Sequence, residues 1–193
     1  VDAAKKLVAS DPSPSSKLIL AEALSNAGQL DKAESIYKEL INQGITDTYM
    51  NRAMIYAENG NWERSYESTK KYMESNQRLP IYPALLQLAV EDILSLTPTP
   101  LSEMSRYLDI ANLDSWQKAL LDYWYDSKSE KQISELATNI CKKTESNFLI
   151  GLKKLKAKDT ESAKDYFEDI ISSKTYSFVE YRVAPHLIKM INN

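Results

Sequence analysis

The stretch Gly28-Gln29-Leu30-Asp31-Lys32-Ala33, continued by Tyr37 and Leu40, decides the fold because it recurs as Gly60-Asn61-Trp62-Glu63-Arg64-Ser65, continued by Thr69 and Tyr72. Each copy follows one apolar helical run and opens another. In the first, Leu30, Ala33, Ile36, Tyr37 and Leu40 form an apolar stripe at helical spacing. Ahead of the second, Tyr49, Ala53, Tyr56 and Gly60 share one face. Ala33 and Ser65 are small where two helices must approach, and Gly28 and Gly60 can take the left-handed conformation that ends a helix. Self-similarity of this kind marks units that stack, each covering its neighbour's apolar face.

The pattern resembles the tetratricopeptide repeat (TPR), two antiparallel helices with a Gly at the turn and a small residue early in helix B. That resemblance implies an all-α, TPR-like right-handed superhelix of antiparallel helix pairs, one domain over residues 1–193. Residues 14–76 hold two clear repeats. Residues 144–177 hold a third: Gly151 takes the small position of helix A, Asp159-Thr160 caps helix B, and Ala163, Phe167 and Ile170 fill its packing positions, with Lys158 in place of the turn Gly. Residues 178–193 read as a closing helix with Tyr181, Ala184, Ile188 and Ile191 on one face, which Pro185 should kink or split.

Residues 77–143 are degenerate. Pro80 and Pro83 open a helix predicted to reach about Leu96, and Thr99-Pro100 reads as an N-cap followed by Pro at the first helical position. Trp116, Leu120, Tyr123 and Trp124 make another apolar face. Ser129-x-x-Gln132 reads as a capping box for a helix extending to about Lys143. The expectation is about eleven helices in all. Residues 1–12 match the end of a preceding repeat through Ala4, Leu7 and Pro12. A processed or truncated form, with a targeting segment or lipid anchor removed upstream, is therefore expected.

Composition narrows the function. With 43% hydrophobic and 26% charged residues in 193, the chain can bury a core. Only four glycines argue against a sandwich or barrel. A net charge of -3 shows no basic excess for nucleic acid. The neighbouring Lys142, Lys143, Lys153, Lys154, Lys156 and Lys158 read as a solvated helix face. The longest strongly apolar stretch, near Ala84–Val90, falls far short of the roughly 18 residues of a membrane span. The first residues carry no signal-peptide pattern.

Two residues are the most able to supply chemistry. His186 is the single histidine and lies beside Pro185, which reads as a surface or packing position rather than a base. Cys141 is the single cysteine, so no intramolecular disulfide forms, and its place on the flank of Ile133, Leu136 and Ile140 predicts a buried structural thiol. Phosphate-loop, nucleophile-elbow, zinc-protease and C-x-x-C motifs are absent. Glu161 and Asp165 sit one helical turn apart, as acid pairs do on many soluble helices. The expectation is a non-enzyme with no cofactor and no metal.

In the TPR frame the A helices line a concave groove. Its groove-facing positions are Leu18, Glu22, Ser25 and Asn26 in the first copy and Met50, Asn51, Met54, Ala57 and Glu58 in the second. Glu22, Asn26, Met50, Asn51, Met54 and Glu58 are the candidate partner-binding residues. The two methionines, one turn apart, suit a peptide or helix ligand. The competing expectation is that the degenerate middle, or the first residues, already fill the groove. Co-chaperone TPRs that grip an acidic C-terminus use Lys and Asn at positions held here by Leu18, Glu22, Met50 and Met54, so that clamp is missing.

The second half carries a further likeness. Ser115-Trp116, Leu120-Leu121-Asp122-Tyr123-Trp124-Tyr125 and Ser134-Glu135-Leu136-Ala137, then Asn147-Phe148-Leu149-Ile150-Gly151, Asp159 and Ala163-Lys164-Asp165-Tyr166-Phe167, and finally Phe178-Val179-Glu180-Tyr181-Arg182 with Ala184, resemble bacterial outer-membrane TPR lipoproteins of the NlpI type. No lipid-bearing N-terminal Cys is present, and the Phe-x-x-Gly element lacks the family's Tyr. The resemblance implies a periplasm-facing envelope scaffold, often dimeric, that holds proteases or cell-wall hydrolases near their substrates. A cytoplasmic TPR module from a larger regulatory protein is the alternative, and an enzyme built on a helical solenoid is the third reading.

Overall fold

The computed structural model describes residues 1–193 as twelve α-helices and one 3-10 turn. Three helical hairpins set the architecture: α2 (Pro14–Asn26) with α3 (Leu30–Asn42), α4 (Thr48–Glu58) with α5 (Trp62–Ser75), and α10 (Ile140–Lys156) with α11 (Thr160–Ser172). The same turn closes each. Gln29 N donates to Leu24 O at 2.8 Å, Asn61 N to Tyr56 O at 2.9 Å and Asp159 N to Lys154 O at 3.0 Å, the long bond of a Schellman ending. The residue before each donor is left-handed, with φ of +73° at Gly28, +69° at Gly60 and +63° at Lys158. Lys158 thus adopts the glycine conformation without being glycine. Asn61 and Asp159 then cap the following helices by accepting the N–H of Arg64 and Ser162.

The small positions work by contact. Ala33 and Ala163 are buried, and the buried Ser65 hydroxyl donates to Ala53 O at 2.9 Å, tying α5 to α4. Gly151 is the tightest: a Cβ there would lie 2.6 Å from Cε1 of Phe167. Helix α1 (Asp2–Ser10) packs on α2, with Ala4 buried.

The middle section departs from the hairpin plan. Helix α6 (Ile81–Ile93) is full length, but its partner is reduced to α7 (Leu101–Met104). Helix α6 stops short of Leu96 because Ser95 turns left-handed and Leu96 N bonds back to Glu91 O. Thr99 is not the cap of α7; Pro100 is. The buried carboxylate of Glu91 claims Thr99 instead, accepting its N–H at 2.8 Å, its hydroxyl at 2.6 Å and Gln87 Nε2 at 2.8 Å. A carboxylate removed from water needs such donors, and that need outweighs a local cap. After a 3-10 turn (Ile110–Asn112), α8 (Ser115–Trp124) and α9 (Glu130–Leu136) each begin with a complete capping box.

Helix α9 ends at Leu136 instead of continuing to Lys143. Asn139 caps a new helix by accepting Lys142 N–H at 3.0 Å, so the count is twelve rather than eleven. Cys141 consequently sits in the first turn of α10 and is exposed, correcting the expectation of a buried thiol.

The closing helix α12 (Val179–Ile191) runs unbroken through Pro185, whose side is solvent-exposed. It packs on α10 and α11 and also reaches back to α4, while α6 packs directly on α10. The all-α, TPR-like superhelix therefore curls into a ring. One continuous core runs from Ala57 on α4 to Leu187 on α12, and a smaller one around Tyr37 holds the first hairpin.

Candidate functional site

The centre of the ring is a cavity of about 370 Å³. Met50 and Met54 enter it from α4, Tyr82, Leu85 and Leu86 from α6, Leu120 from α8, and Phe148 and Leu149 from α10. Phe178 and Val179 complete the wall at the start of α12. The size lies within the range of about 300–1,000 Å³ common to ligand pockets. The polar exceptions are Ser177 and the carboxylates of Glu145 and Glu180.

These carboxylates differ in their surroundings. Glu145 is buried and accepts the indole N–H of Trp116, and burial raises its pKa against that hydrogen bond. Burial pushes Glu180 up to about 7, with the charge of Glu145 adding to the shift. Glu180 has its own backbone as hydrogen-bond partner and forms no salt bridge.

The six candidate residues divide into three groups. Met50 and Met54 line the cavity, half-buried. Glu22 and Glu58 meet Arg182 of α12: one guanidinium nitrogen lies 2.9 Å from Glu58 Oε1 and another 3.5 Å from Glu22 Oε1. The Glu58 side chain is only 6% exposed, and burial lifts its pKa to about 7 although Arg182 opposes the shift. Asn26 and Asn51 are exposed and lie outside the cavity wall. Ser25 and Ala57 are buried in packing, and Leu18 packs on the small core.

The groove of the first repeats is thus covered in part by the closing helix, and the middle section contributes Tyr82, Leu85, Leu86 and Leu120 to the wall that Met50 and Met54 share. His186 takes part in that closure: its Nδ1 lies 3.2 Å from where a Cβ on Gly60 would stand, on the α4–α5 turn. The aromatic and acidic residues from α6, α10 and α12 were not singled out from the sequence as a site. Only the apolar run Ala84–Val90 hinted that α6 faces apolar groups on both sides.

The lysine cluster is engaged across helices. Lys153 reaches Tyr123 O and Asp126, Lys154 lies 3.0 Å from Glu130, Lys156 lies 2.5 Å from Asp92, and Lys142 stands over the Trp116 ring. No group of three or more His, Cys, Asp or Glu is placed to hold a metal ion, and no helix is long and apolar enough to cross a membrane.

Comparison with known proteins agrees with this geometry where it speaks. A tetratricopeptide-repeat family model matches residues 16–43, which cover most of α2 and all of α3. No curated protein matches the chain in sequence. The first hairpin is therefore a tetratricopeptide repeat, the hairpins α4–α5 and α10–α11 reproduce its turn and its close helix contact, and the whole is an all-α TPR-like superhelix, an architecture that generally mediates protein–protein interaction and is typically non-catalytic.

Proposed function

We propose that this protein is a non-catalytic scaffold or adaptor that docks a segment of another protein in the centre of its helical ring. One observation carries the reading: inward faces of α4, α6, α8, α10 and α12 leave a cavity walled mainly by Met, Leu, Phe and Tyr instead of filling it with one another's side chains. A concave, mostly apolar site with a few convergent polar groups is the usual form of a ligand-binding site. Met50 and Met54 are flexible and polarisable, which suits an apolar anchor of varied shape. The likeness of the segments after residue 115 to NlpI-type lipoproteins supports an envelope setting for this scaffold, in which it recruits proteases or cell-wall hydrolases and works as a homodimer.

The test is photo-crosslinking in the native cell from a reactive amino acid at Met54, with Asn51 as the off-site control, followed by mass spectrometry. Capture of an envelope protease or cell-wall hydrolase from position 54 but not 51 supports the reading. Capture of cytosolic proteins alone removes the envelope assignment. Crosslinks confined to α6, α10 and α12 of the same chain refute docking in the ring.

A further inference from the structure

The cavity is not only apolar. Its wall carries two carboxylates, Glu145 and Glu180, and the guanidinium of Arg182, two residues beyond Glu180, is paired with Glu58 and Glu22 instead. Trp116 supplies Glu145 with a donor, and Lys142 stands over the Trp116 ring beside it. Glu180 has neither a salt bridge nor a donor from another residue. Both acids gain protons more readily than an ordinary glutamate, for the same reason in each case: burial first, then a neighbouring negative charge. An apolar wall weakens screening, so whatever negative charge the pair carries acts strongly on anything that enters, and an entering cation would draw both acids toward their charged forms. An anionic or acidic segment would add to the repulsion. A neutral apolar segment would bury Glu180 further without pairing it, which costs free energy. A cation would relieve it.

We propose that the ring centre recognises a basic-apolar peptide segment of its partner, in which a large apolar side chain fills the space between Met54 and Phe148 and an adjacent Lys or Arg pairs with Glu180 and Glu145. This rests on the docking function proposed above and adds the chemistry of the occupant. The apolar anchor supplies area, at roughly 25 cal/mol per Å² buried, and the cation supplies selection against wrong segments. An Arg is favoured over Lys where one guanidinium can bridge both acids.

The experiment is selection of a random-peptide phage library on the immobilised full chain, run in parallel on E180Q and on Met54→Glu. Gln is nearly isosteric with Glu and carries no charge to desolvate, so E180Q is expected to fold at least as stably, which circular dichroism checks. Wild type is expected to enrich peptides with a Leu, Phe, Met or Trp next to Lys or Arg. E180Q should keep the apolar preference and lose at least tenfold of the basic enrichment, while Met54→Glu should lose both. Enriched peptides that are apolar without a basic bias, or whose bias survives E180Q, overturn this inference and leave docking in the ring intact. No peptide that depends on Met54 overturns both.

Discussion

Replacing Gly151 with alanine sets two effects of opposite sign against each other. A helix-interior glycine costs about 1 kcal/mol relative to alanine, so at an open position the change stabilises. Here the new methyl would meet Cε1, Cζ and Cδ1 of Phe167 at 2.6, 3.0 and 3.1 Å, well inside the roughly 3.5–4.0 Å at which carbon atoms attract. Phe167 is fully buried, as are Ala163 and Ile170 on the same helix, so its ring cannot swing into solvent. It also meets Phe148 with ring centroids 6.4 Å apart, so the strain passes toward a residue of the cavity wall. Overpacking of this kind costs about 1–3 kcal/mol, which leaves a net destabilisation of up to roughly 2 kcal/mol for G151A. Urea unfolding followed by circular dichroism would measure it. In a cycle with Phe167→Leu, which vacates the clashing ring edge, the two changes should couple favourably by about 1 kcal/mol or more. If G151A instead stabilises by about 1 kcal/mol and the cycle is additive, the hairpin contact between α10 and α11 is not what is described here.

Four further outcomes follow from contacts described above. Glu58 has a folded pKa of about 7 against an ordinary 4.5, so its contribution to stability is fully present below about pH 4.5 and is lost as pH rises through 7, by at most about 3 kcal/mol; E58Q should flatten the stability–pH curve between pH 5 and 8. Arg182→Met should cost more at pH 8, where Glu58 is charged, than at pH 5.5, where it is protonated, and equal losses at both would contradict the Arg182–Glu58 tie as the clasp between α12 and α4. Lys158→Gly should raise stability by about 0.5–1 kcal/mol, because a non-glycine at φ +63° is strained, whereas Gly60→Ala should lower it; thermal melts of the two variants give the signs. Thr99→Val withdraws a hydroxyl from the buried Glu91 carboxylate and should cost about 1–3 kcal/mol in denaturant unfolding, while a loss near zero would mean that Glu91 does not hold the α6–α7 connection.

The sequence by itself determined what is local and periodic. The glycines at 28 and 60, the small residues 33, 65 and 151 and the stripe through Tyr37 and Leu40 specify helix hairpins, because turn chemistry and an apolar stripe at helical spacing are written in neighbouring letters. The capping box at Ser129 was legible for the same reason. The break at Asn139 was less so: a cap competes with an unbroken apolar stripe, and the stripe through Ile133, Leu136 and Ile140 hid the cap and misplaced Cys141. Met50 and Met54 could be assigned to the inner face because hairpin geometry fixes which side of helix A points inward. Closure of the ring could not be read this way. It depends on Arg182 reaching Glu58 and Glu22, on His186 settling over Gly60 and on α6 touching α10, contacts between residues far apart in the chain with no shared period. Those contacts decide which apolar positions become core and which are left facing a cavity, and they put Glu145 and Glu180 on one wall.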